Sequence, residues 1–262
     1  MKRIDDIREV QRRLLAIACQ LHRICTEESI PYYMIGGTML GAIRHKGFIP
    51  WDDDMDFGVP RAHYDRLIEA LERKLPEPYR CLTHKNCKQI KYPFLKIEDR
   101  TTCIDDRSLD CPLEEMPGLN IDVFPIDQCD RGGWRIWRIK FFTFLQTLFF
   151  VRSTSRSKWK AIVKRGVMAF APHDRLFFIS RLEHAMTHAG NGNYMGNLIG
   201  RIVDAGIIPV EVYQELCDYT FEDTTLRGFK KYDEYLAHVF GDYMQLPPET
   251  DRQTHVDNVY ER

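Results

Sequence analysis

Residues Tyr33–Asp56 read YMIGGTMLGAIRHKGFIPWDDDMD, and they carry the strongest structural signal in the chain. The apolar residues 32–35 predict a short buried strand, which the paired glycines Gly36 and Gly37 end. Thr38 then offers an N-cap for a short helix. A strand, a glycine turn and a helix start in succession place backbone N–H groups where a phosphate can approach, so Gly36, Gly37 and Thr38 are predicted phosphate contacts.

Two carboxylates follow a loop at residues 45–53. Asp54 and Asp56 lie in segment 54–59, where polar and apolar residues alternate as they do in a half-buried strand. Residues two apart on a strand point to the same face, so both carboxylates are predicted to project together. Without a cation they would repel each other, and oxygen ligands of this kind suit Mg²⁺, with Mn²⁺ as the alternative.

A site that holds two metal ions needs a third carboxylate to bridge them. Asp122 lies among apolar residues in a predicted strand, where an acidic side chain is costly unless it is paired or bound to metal. Asp127 is the competing candidate, but it follows Pro125 and is predicted to lie in a loop or turn. The predicted metal ligands and catalytic carboxylates are therefore Asp54, Asp56 and Asp122.

Basic residues near these motifs can neutralise phosphate charge. The candidates are Arg44, His45, Lys46, Arg61 and Lys96, each of which also suits a solvated surface. Lys96 is the strongest because its neighbours are apolar and predict a strand. Arg44, where the short helix ends, is kept with Lys96 as a predicted contact of the bound cofactor.

Periodicity elsewhere predicts the other elements of an α+β fold. Helices are expected over 5–29 and 61–75, and strands near 80–83, 93–98 and 119–124. After residue 131 the chain is predicted to be mainly helical. We therefore expect a catalytic core at 1–130 and an extension at 131–262 that completes the same domain.

Bulk composition excludes several classes of protein. The 262 residues are 44% hydrophobic and 29% charged with a net charge of −1, which is ordinary for a soluble globular chain. The first residues are charged throughout, so no secretory signal is predicted, and the eight cysteines are expected to be reduced thiols. A cytoplasmic location is expected. No nucleic-acid-binding motif is present, and nucleic acid is not a predicted partner.

One basic segment departs from this balance. Residues 131–173 contain ten lysines and arginines and no acidic residue, and Trp134, Trp137 and Trp159 lie among them with many phenylalanines. Residues 134–165 therefore suit a helix on an anionic membrane surface, which would place the protein peripherally at the inner face of the membrane. A buried helical hairpin with a solvated basic face is the alternative.

The segment from Tyr33 to Asp56 closely resembles the signature of the LicD phosphotransferases, which are related to fukutin-type proteins. Asn120–Asp127 looks like the third-carboxylate segment of that family. Its C-terminal signature is resembled by Tyr235-Leu236, Phe240–Met244, Leu246–Pro248, Arg252 and His255. Residues 131–200 match only loosely.

This resemblance implies a nucleotidyltransferase-like small mixed sheet flanked by helices. It also implies transfer of a phospho-alcohol, most often phosphocholine, from a CDP-activated donor to a sugar hydroxyl of a cell-surface glycan, such as lipopolysaccharide or teichoic acid, whose precursor can be lipid-linked. On the matching positions, Asp54, Asp56 and Asp122 become the metal ligands and Gly36, Gly37 and Thr38 the phosphate contacts. Asp122 is also a candidate general base.

Three rival functions remain open from the sequence. The same machinery would serve CDP-ribitol, CDP-glycerol or a phosphoethanolamine donor, or it would move the nucleotide instead of the phospho-alcohol. A non-catalytic protein that binds or positions a glycan is the third, although such a protein has no chemical need for the aspartates. For a choline group, whose quaternary ammonium prefers aromatic faces, the candidates are Trp51, Phe124, Tyr232 and Tyr243.

Overall fold

The computed structural model describes residues 1–105, 111–150, 175–199, 206–252, 254 and 258–262. Its helices are α1 (Ile7–Glu27), α2 (Gly36–Arg44), α3 (Arg61–Lys74), α4 (Gly133–Phe150), α5 (Arg175–Thr187), α6 (Val210–Gln214) and α7 (Tyr232–Phe240). Its strands are β1 (Lys2–Ile4), β2 (Tyr33–Met34), β3 (Asp56–Pro60), β4 (Tyr79–Leu82), β5 (Leu95–Asp99), β6 (Thr102–Ile104), β7 (Leu119–Cys129), β8 (Tyr194–Asn197), β9 (Ile208–Pro209), β10 (Leu216–Phe221), β11 (Thr224–Phe229) and β12 (Val259–Glu261).

The largest sheet has the order β2-β3-β7-β5-β4. β3 and β7 are parallel, whereas the other neighbours in this order are antiparallel. β8 adds to the far end of β7, and β9 pairs with β8. A smaller sheet has the order β1-β12-β6, and β10 and β11 form a hairpin. The predicted α+β class, a mixed sheet flanked by helices, is therefore confirmed.

The sheet lies against α1, and the alternation of side chains sorts its residues between two faces. Leu14, Ile17 and Leu21 of α1 are fully buried in one core cluster with Ile121 and Val123 of β7. Asp122, which lies between these two on β7, points away from that core, because successive strand residues face opposite sides. One face of the sheet is thus left for polar side chains.

Two predicted boundaries were wrong. β3 begins only at Asp56, so Asp54 lies before the strand and not within it. β7 continues to Cys129, so Asp127 lies in a strand and not in a loop. Pro125 misled the prediction because it falls where β7 changes partners, between its pairing with β5, which ends at Val123, and its pairing with β8, which begins at Ile126.

The C-terminal part contains strands as well as helices. The prediction of a mainly helical region missed β8 to β12, whose short hairpins carry no long apolar run. A second buried cluster joins the end of β7 to α4 and α5. Among the described residues, no helix combines the length and apolar character needed to cross a membrane. Residues 151–165 of the basic aromatic stretch, with Trp159, lie outside the described residues, as does His255.

Candidate active site

A row of charged side chains crosses the polar face of the sheet. The parallel pairing of β3 with β7 puts Asp56 beside Asp122, and the antiparallel pairing of β5 with β7 puts Lys96 beside the same residue. All three are half-buried, whereas their strand neighbours Phe57 and Val123 are fully buried. The structure therefore brings together Asp56, Asp122 and Lys96, as the sequence predicted, through strand register.

Acidic groups outnumber basic ones around this row. Burial raises the pKa of Asp56 well above its usual range, and the nearby carboxylates Asp54 and Asp122 raise it further. Lys96 acts in the opposite direction, and Asp52 adds a further negative contribution. Asp54 thus contributes to the cluster although it precedes the strand. A site with this surplus gains energy from any cation that enters it.

Lys96 already neutralises part of the cluster. Its Nζ donates to Oδ1 of Asp122 at 2.5 Å and to Oδ1 of Asn120 at 3.0 Å. The sequence predicted that Lys96 contacts the bound cofactor; here it is an ion-pair partner of a candidate metal ligand. A lysine in this position can exchange a carboxylate for a phosphate oxygen, since both are anionic acceptors.

The glycine turn is shaped around two carboxylates. Gly36 has a φ of 54°, a left-handed conformation that favours glycine, and a Cβ there would lie 3.5 Å from Oδ2 of Asp56. A Cβ on Gly37 would lie 2.8 Å from Oδ2 of Asp52, which is closer than real Cβ contacts allow. The glycines thus let acidic groups approach the positive end of α2.

Thr38 has a different role from the predicted N-cap. The cap position belongs to Ile35, which has no side chain able to accept from the first-turn amides. The hydroxyl of Thr38 instead accepts from the backbone N–H of Asp56 at 2.8 Å, which ties α2 to the first residue of β3. Its position beside the carboxylate row is as expected, and its contact with phosphate stays a prediction.

The C-terminal signature closes over the glycine turn. The amide of Gly36 donates to the buried hydroxyl of Tyr235 at 2.8 Å, and the guanidinium of Arg44 donates to the carbonyl of Tyr243 at 2.9 Å. Arg44 was predicted to contact the cofactor, but its hydrogen bonds within the described residues go to this segment and to His45. The sequence did not predict the contact of Tyr235 with Gly36, because the two residues are 199 positions apart. Only the family resemblance indicated that Tyr235 matters.

Asp127 and Arg61 neutralise each other elsewhere on the sheet. Arg61 donates to both carboxylate oxygens of Asp127 at 2.7 Å, and the Asp127 side chain is almost fully buried. This bidentate pair accounts for an acidic residue within an apolar strand without a metal. Asp127 is thus a structural carboxylate, and Arg61 is committed to it and not to a phosphate.

The donor set suits a hard divalent cation in kind. Asp54, Asp56 and Asp122 offer carboxylate oxygens only, which is the ligand chemistry of Mg²⁺ and Mn²⁺. Within the described ranges, no three acidic, histidine or cysteine side chains are arranged to hold a metal as they stand. Lys96 occupies an oxygen of Asp122. The three aspartates thus offer the right kind of ligand atom, and their binding of a metal stays a prediction.

Comparison with known protein families identifies the same segment that carries the glycine turn and the carboxylate row. The profile described as "LicD/FKTN/FKRP, nucleotidyltransferase domain" matches residues 29–173, more than half of the chain and all of the carboxylate row. The chain belongs to the LicD family. It is a LicD-type phosphotransferase, and the suspected family is confirmed.

One similar protein extends this match along nearly the whole chain, and two others match about a fifth of it. Lipopolysaccharide cholinephosphotransferase LicD of Haemophilus influenzae is 28% identical over 97% of both chains. The uncharacterized protein RP689 of Rickettsia prowazekii is 43% identical over 21% of this chain and 20% of its own. The uncharacterized protein RT0683 of Rickettsia typhi is 50% identical over 20% of this chain and 18% of its own.

Proposed function

We propose that this protein transfers phosphocholine from CDP-choline to a sugar hydroxyl of a cell-surface glycan precursor. The observation that carries the proposal is the carboxylate row of β3 and β7, with its surplus negative charge, beside the glycine turn of a LicD-family chain. The similarity to a lipopolysaccharide cholinephosphotransferase along 97% of the chain supports both the transferred group and the glycan acceptor.

The residues would divide the chemistry between them. Asp54, Asp56 and Asp122 would hold one or two Mg²⁺ ions, which supply charge neutralisation on the pyrophosphate and a more acidic acceptor hydroxyl. The first-turn amides of α2 have no acceptor within the helix, and the helix begins beside Asp56 and Asp52. The amides of Gly37 and Thr38 therefore suit the pyrophosphate oxygens, whereas that of Gly36 already donates to Tyr235. Lys96 would leave Asp122 for a phosphate oxygen.

Release of Lys96 leaves Asp122 free to accept a proton. The acceptor hydroxyl oxygen attacks the phosphorus that bears choline, and its proton passes to the Asp122 carboxylate. A new P–O bond to the sugar forms as the bond from that phosphorus to the bridging oxygen breaks. CMP leaves with the bridging oxygen, so atoms and charge balance without a further reactant.

The first test is metal-dependent release of CMP. The purified protein would be given Mg²⁺, a lipopolysaccharide acceptor that lacks phosphocholine, and CDP-choline, CDP-ethanolamine, CDP-glycerol or CDP-ribitol in parallel. We expect CMP from CDP-choline, none in EDTA, and an acceptor heavier by one phosphocholine. An acceptor heavier by CMP would show nucleotide transfer, and release from another donor alone would replace choline as the transferred group.

A matched pair of variants locates the activity. Asp54→Asn removes a carboxylate from the cluster, and Asp65→Asn removes an exposed one from α3. We expect only Asp54→Asn to abolish CMP release while both proteins stay folded. Normal turnover by folded Asp54→Asn would contradict the assigned site, whatever the donor proves to be.

We also propose that α4 contacts an anionic membrane surface, where a lipid-linked acceptor would be held. Trp134, Trp137, Phe141 and Phe144 follow one another at steps of three, four and three, which places them on one side of the helix. Their exposed fractions are 63%, 65%, 41% and 61%, unusual for large aromatic rings. The opposite side packs on α5.

Charge on this helix favours the same surface. The guanidinium of Arg138 lies 5.0 Å from the centre of the Trp134 ring, and Arg135 lies 5.8 Å from it. Aromatic rings beside basic groups are typical of helices at an anionic interface. In the alternative of a helical hairpin with a solvated basic face, α4 also packs on α5. The two accounts differ in whether the exposed side of α4 contacts water or a membrane.

Vesicle flotation separates these two accounts. The protein should float with vesicles that contain phosphatidylglycerol at low salt, and less so with phosphatidylcholine alone. The double variant Trp134→Ser, Trp137→Ser should lose most of this binding, whereas Met244→Ser, which removes an exposed apolar side chain elsewhere, should keep it. Absence of flotation by the unaltered protein would remove the membrane contact.

A further inference from the structure

We propose that Phe94 and Phe124 form the subsite for the quaternary ammonium group of the donor, with Tyr92 supporting them from behind. This inference rests on the proposed function and names the part of the site that selects choline. It chooses among the aromatic residues that the sequence left open and adds two that were not singled out.

Strand register places the two rings next to the carboxylate row. Phe124 lies two residues beyond Asp122 on β7, so it shares the face of the carboxylate row. Phe94 lies immediately before β5, and its ring contacts with Phe124 and with the Lys96 ammonium place it beside the same row. Their centres are 4.6 Å apart, and both are half-buried, so each keeps some accessible surface.

Tyr92 completes the cluster behind Phe94. Its ring stacks on that of Phe94, with 6.2 Å between centres and 11° between planes. Its hydroxyl lies 3.0 Å from the Thr147 hydroxyl of α4. The aromatic cluster is thereby fixed between the sheet and the helix that carries the exposed tryptophans, which gives it the rigidity that a binding subsite needs.

An ammonium group already lies in this environment. Nζ of Lys96 is 5.5 Å from the centre of the Phe94 ring while it donates to the Asp122 carboxylate. A positively charged nitrogen is therefore held between a ring face and a carboxylate, which is the combination that attracts a trimethylammonium group. When Lys96 turns to phosphate, a donor that brings its own cation restores the same contacts.

Electrostatics argue against Trp51 as the alternative. The guanidinium of Arg252 covers the Trp51 ring at 5.0 Å, and burial together with Arg252 lowers the pKa of the nearby Arg44. Arg252 therefore already lies over the Trp51 ring where the ammonium group of choline would bind. Phe124, in contrast, adjoins a row with surplus negative charge.

Packing alone makes a different prediction from a binding role. Phe94 and Tyr92 also pack against the cluster formed by α4 and α5, so their rings contribute to stability in either case. A leucine keeps most of the apolar volume but removes the face that attracts a cation. A purely structural ring would therefore lower stability in Phe94→Leu without changing how the protein distinguishes a cation from its neutral counterpart.

The test is direct binding of choline and of its uncharged isostere, in which carbon replaces the quaternary nitrogen, each in the presence of inorganic phosphate as the partner for Lys96 and measured by ligand-observed NMR. Unaltered protein should bind choline and not the isostere. Phe94→Leu and Phe124→Leu should each weaken choline binding about threefold to thirtyfold, and raise the KM for CDP-choline similarly. Phe177→Leu is the matched control, since its ring also lies under a guanidinium, that of Arg181, outside the site.

Each outcome separates this inference from the function on which it rests. Choline binding that the two variants lose and the control keeps supports the subsite, even if no CMP is released and the proposed reaction fails. Equal binding of choline and the isostere would overturn the subsite, as would unchanged choline affinity in both folded variants. CMP release could still proceed normally in that case, and the phosphotransferase would keep its function with another alcohol pocket.

Discussion

Asp122 and Asp127 lie on the same strand, and their surroundings are opposite. Asp127 is almost fully buried, and Arg61 donates to both of its carboxylate oxygens, so the guanidinium neutralises the charge of this carboxylate. Asp122 is half-buried beside Asp56 and forms an ion pair with Lys96. Asp127 is thus compensated by its own arginine, whereas Asp122 belongs to a cluster in which several carboxylates surround one lysine.

This difference separates a structural acid from a functional one. A buried carboxylate without full compensation raises the energy of the folded protein, so it persists where something else stabilises it, such as a cation in use. The compensated pair needs no ligand. Substitution of Asp122 should therefore lower activity, whereas substitution of Asp127 should lower stability.

The largest effect is expected for Asp122→Asn. Loss of the negative charge removes a proposed metal ligand and proton acceptor, so we expect CMP release to fall about a thousandfold or more. Stability should change by less than about 1 kcal/mol, because the lost ion pair with Lys96 is only partly buried. Turnover assays and thermal unfolding of the same preparation measure both quantities. Retained turnover would show that Asp122 is as structural as Asp127.

Asp127→Asn should show the reverse pattern. Arg61 would lose a charged partner in a buried place, and the free energy of unfolding should fall by about 2 to 3 kcal/mol. Turnover per folded molecule should stay within about twofold of the unaltered protein. Denaturant unfolding provides the measurement, and the double variant Arg61→Met, Asp127→Leu is the control that should recover part of the loss. Undiminished stability in Asp127→Asn would contradict the structural role.

Local sequence was enough to predict the glycine turn and the strand positions of Asp56 and Asp122. The glycine turn and Asp56 belong to a single segment, and the alternation around Asp122 predicted its strand and its face. The pairing of Arg61 with Asp127 was not predictable, since it depends on the parallel register that sets Pro60 of β3 beside Ile126 of β7. Pro125 also suggested a break where β7 only exchanges one partner for another.

Long-range closure was likewise invisible to periodicity. The bond between Gly36 and Tyr235 joins two ends of the chain, and neither residue's neighbours indicate it. The same holds for the carbonyl contacts of Arg44, a residue whose charge suggested phosphate. Charge and spacing identify candidates, but the fold decides which of them already have partners.

Gly37→Ala should reduce activity less than loss of a carboxylate. The new Cβ would meet Oδ2 of Asp52 at 2.8 Å, so this carboxylate must move away from the start of α2. We expect CMP release to fall about tenfold, since a displacement near 1 Å within a site of this kind costs one to two orders of magnitude. Steady-state assays over a range of Mg²⁺ concentrations provide the measurement. Gly228→Ala is the matched control, because its new Cβ would meet the flexible end of the Met39 side chain at 2.6 Å and not a carboxylate. Full activity in Gly37→Ala would show that Asp52 does not need its present place.

The smallest effect, and the finest test of the contrast, is expected for Tyr235→Phe. The phenol of Tyr235 accepts from the Gly36 amide at the edge of the carboxylate cluster, so its removal leaves that N–H without this acceptor. Stability should fall by about 1 kcal/mol, the usual cost of one buried hydrogen bond, and thermal unfolding would measure it. Tyr219→Phe removes a hydroxyl that donates to the Phe229 carbonyl away from the cluster, and it should cost a similar amount. Only Tyr235→Phe should also alter the KM for the donor, because its freed amide can take a phosphate oxygen. Equal KM values in the two variants would place Tyr235 with Asp127, among the residues that hold the fold and leave the chemistry unchanged.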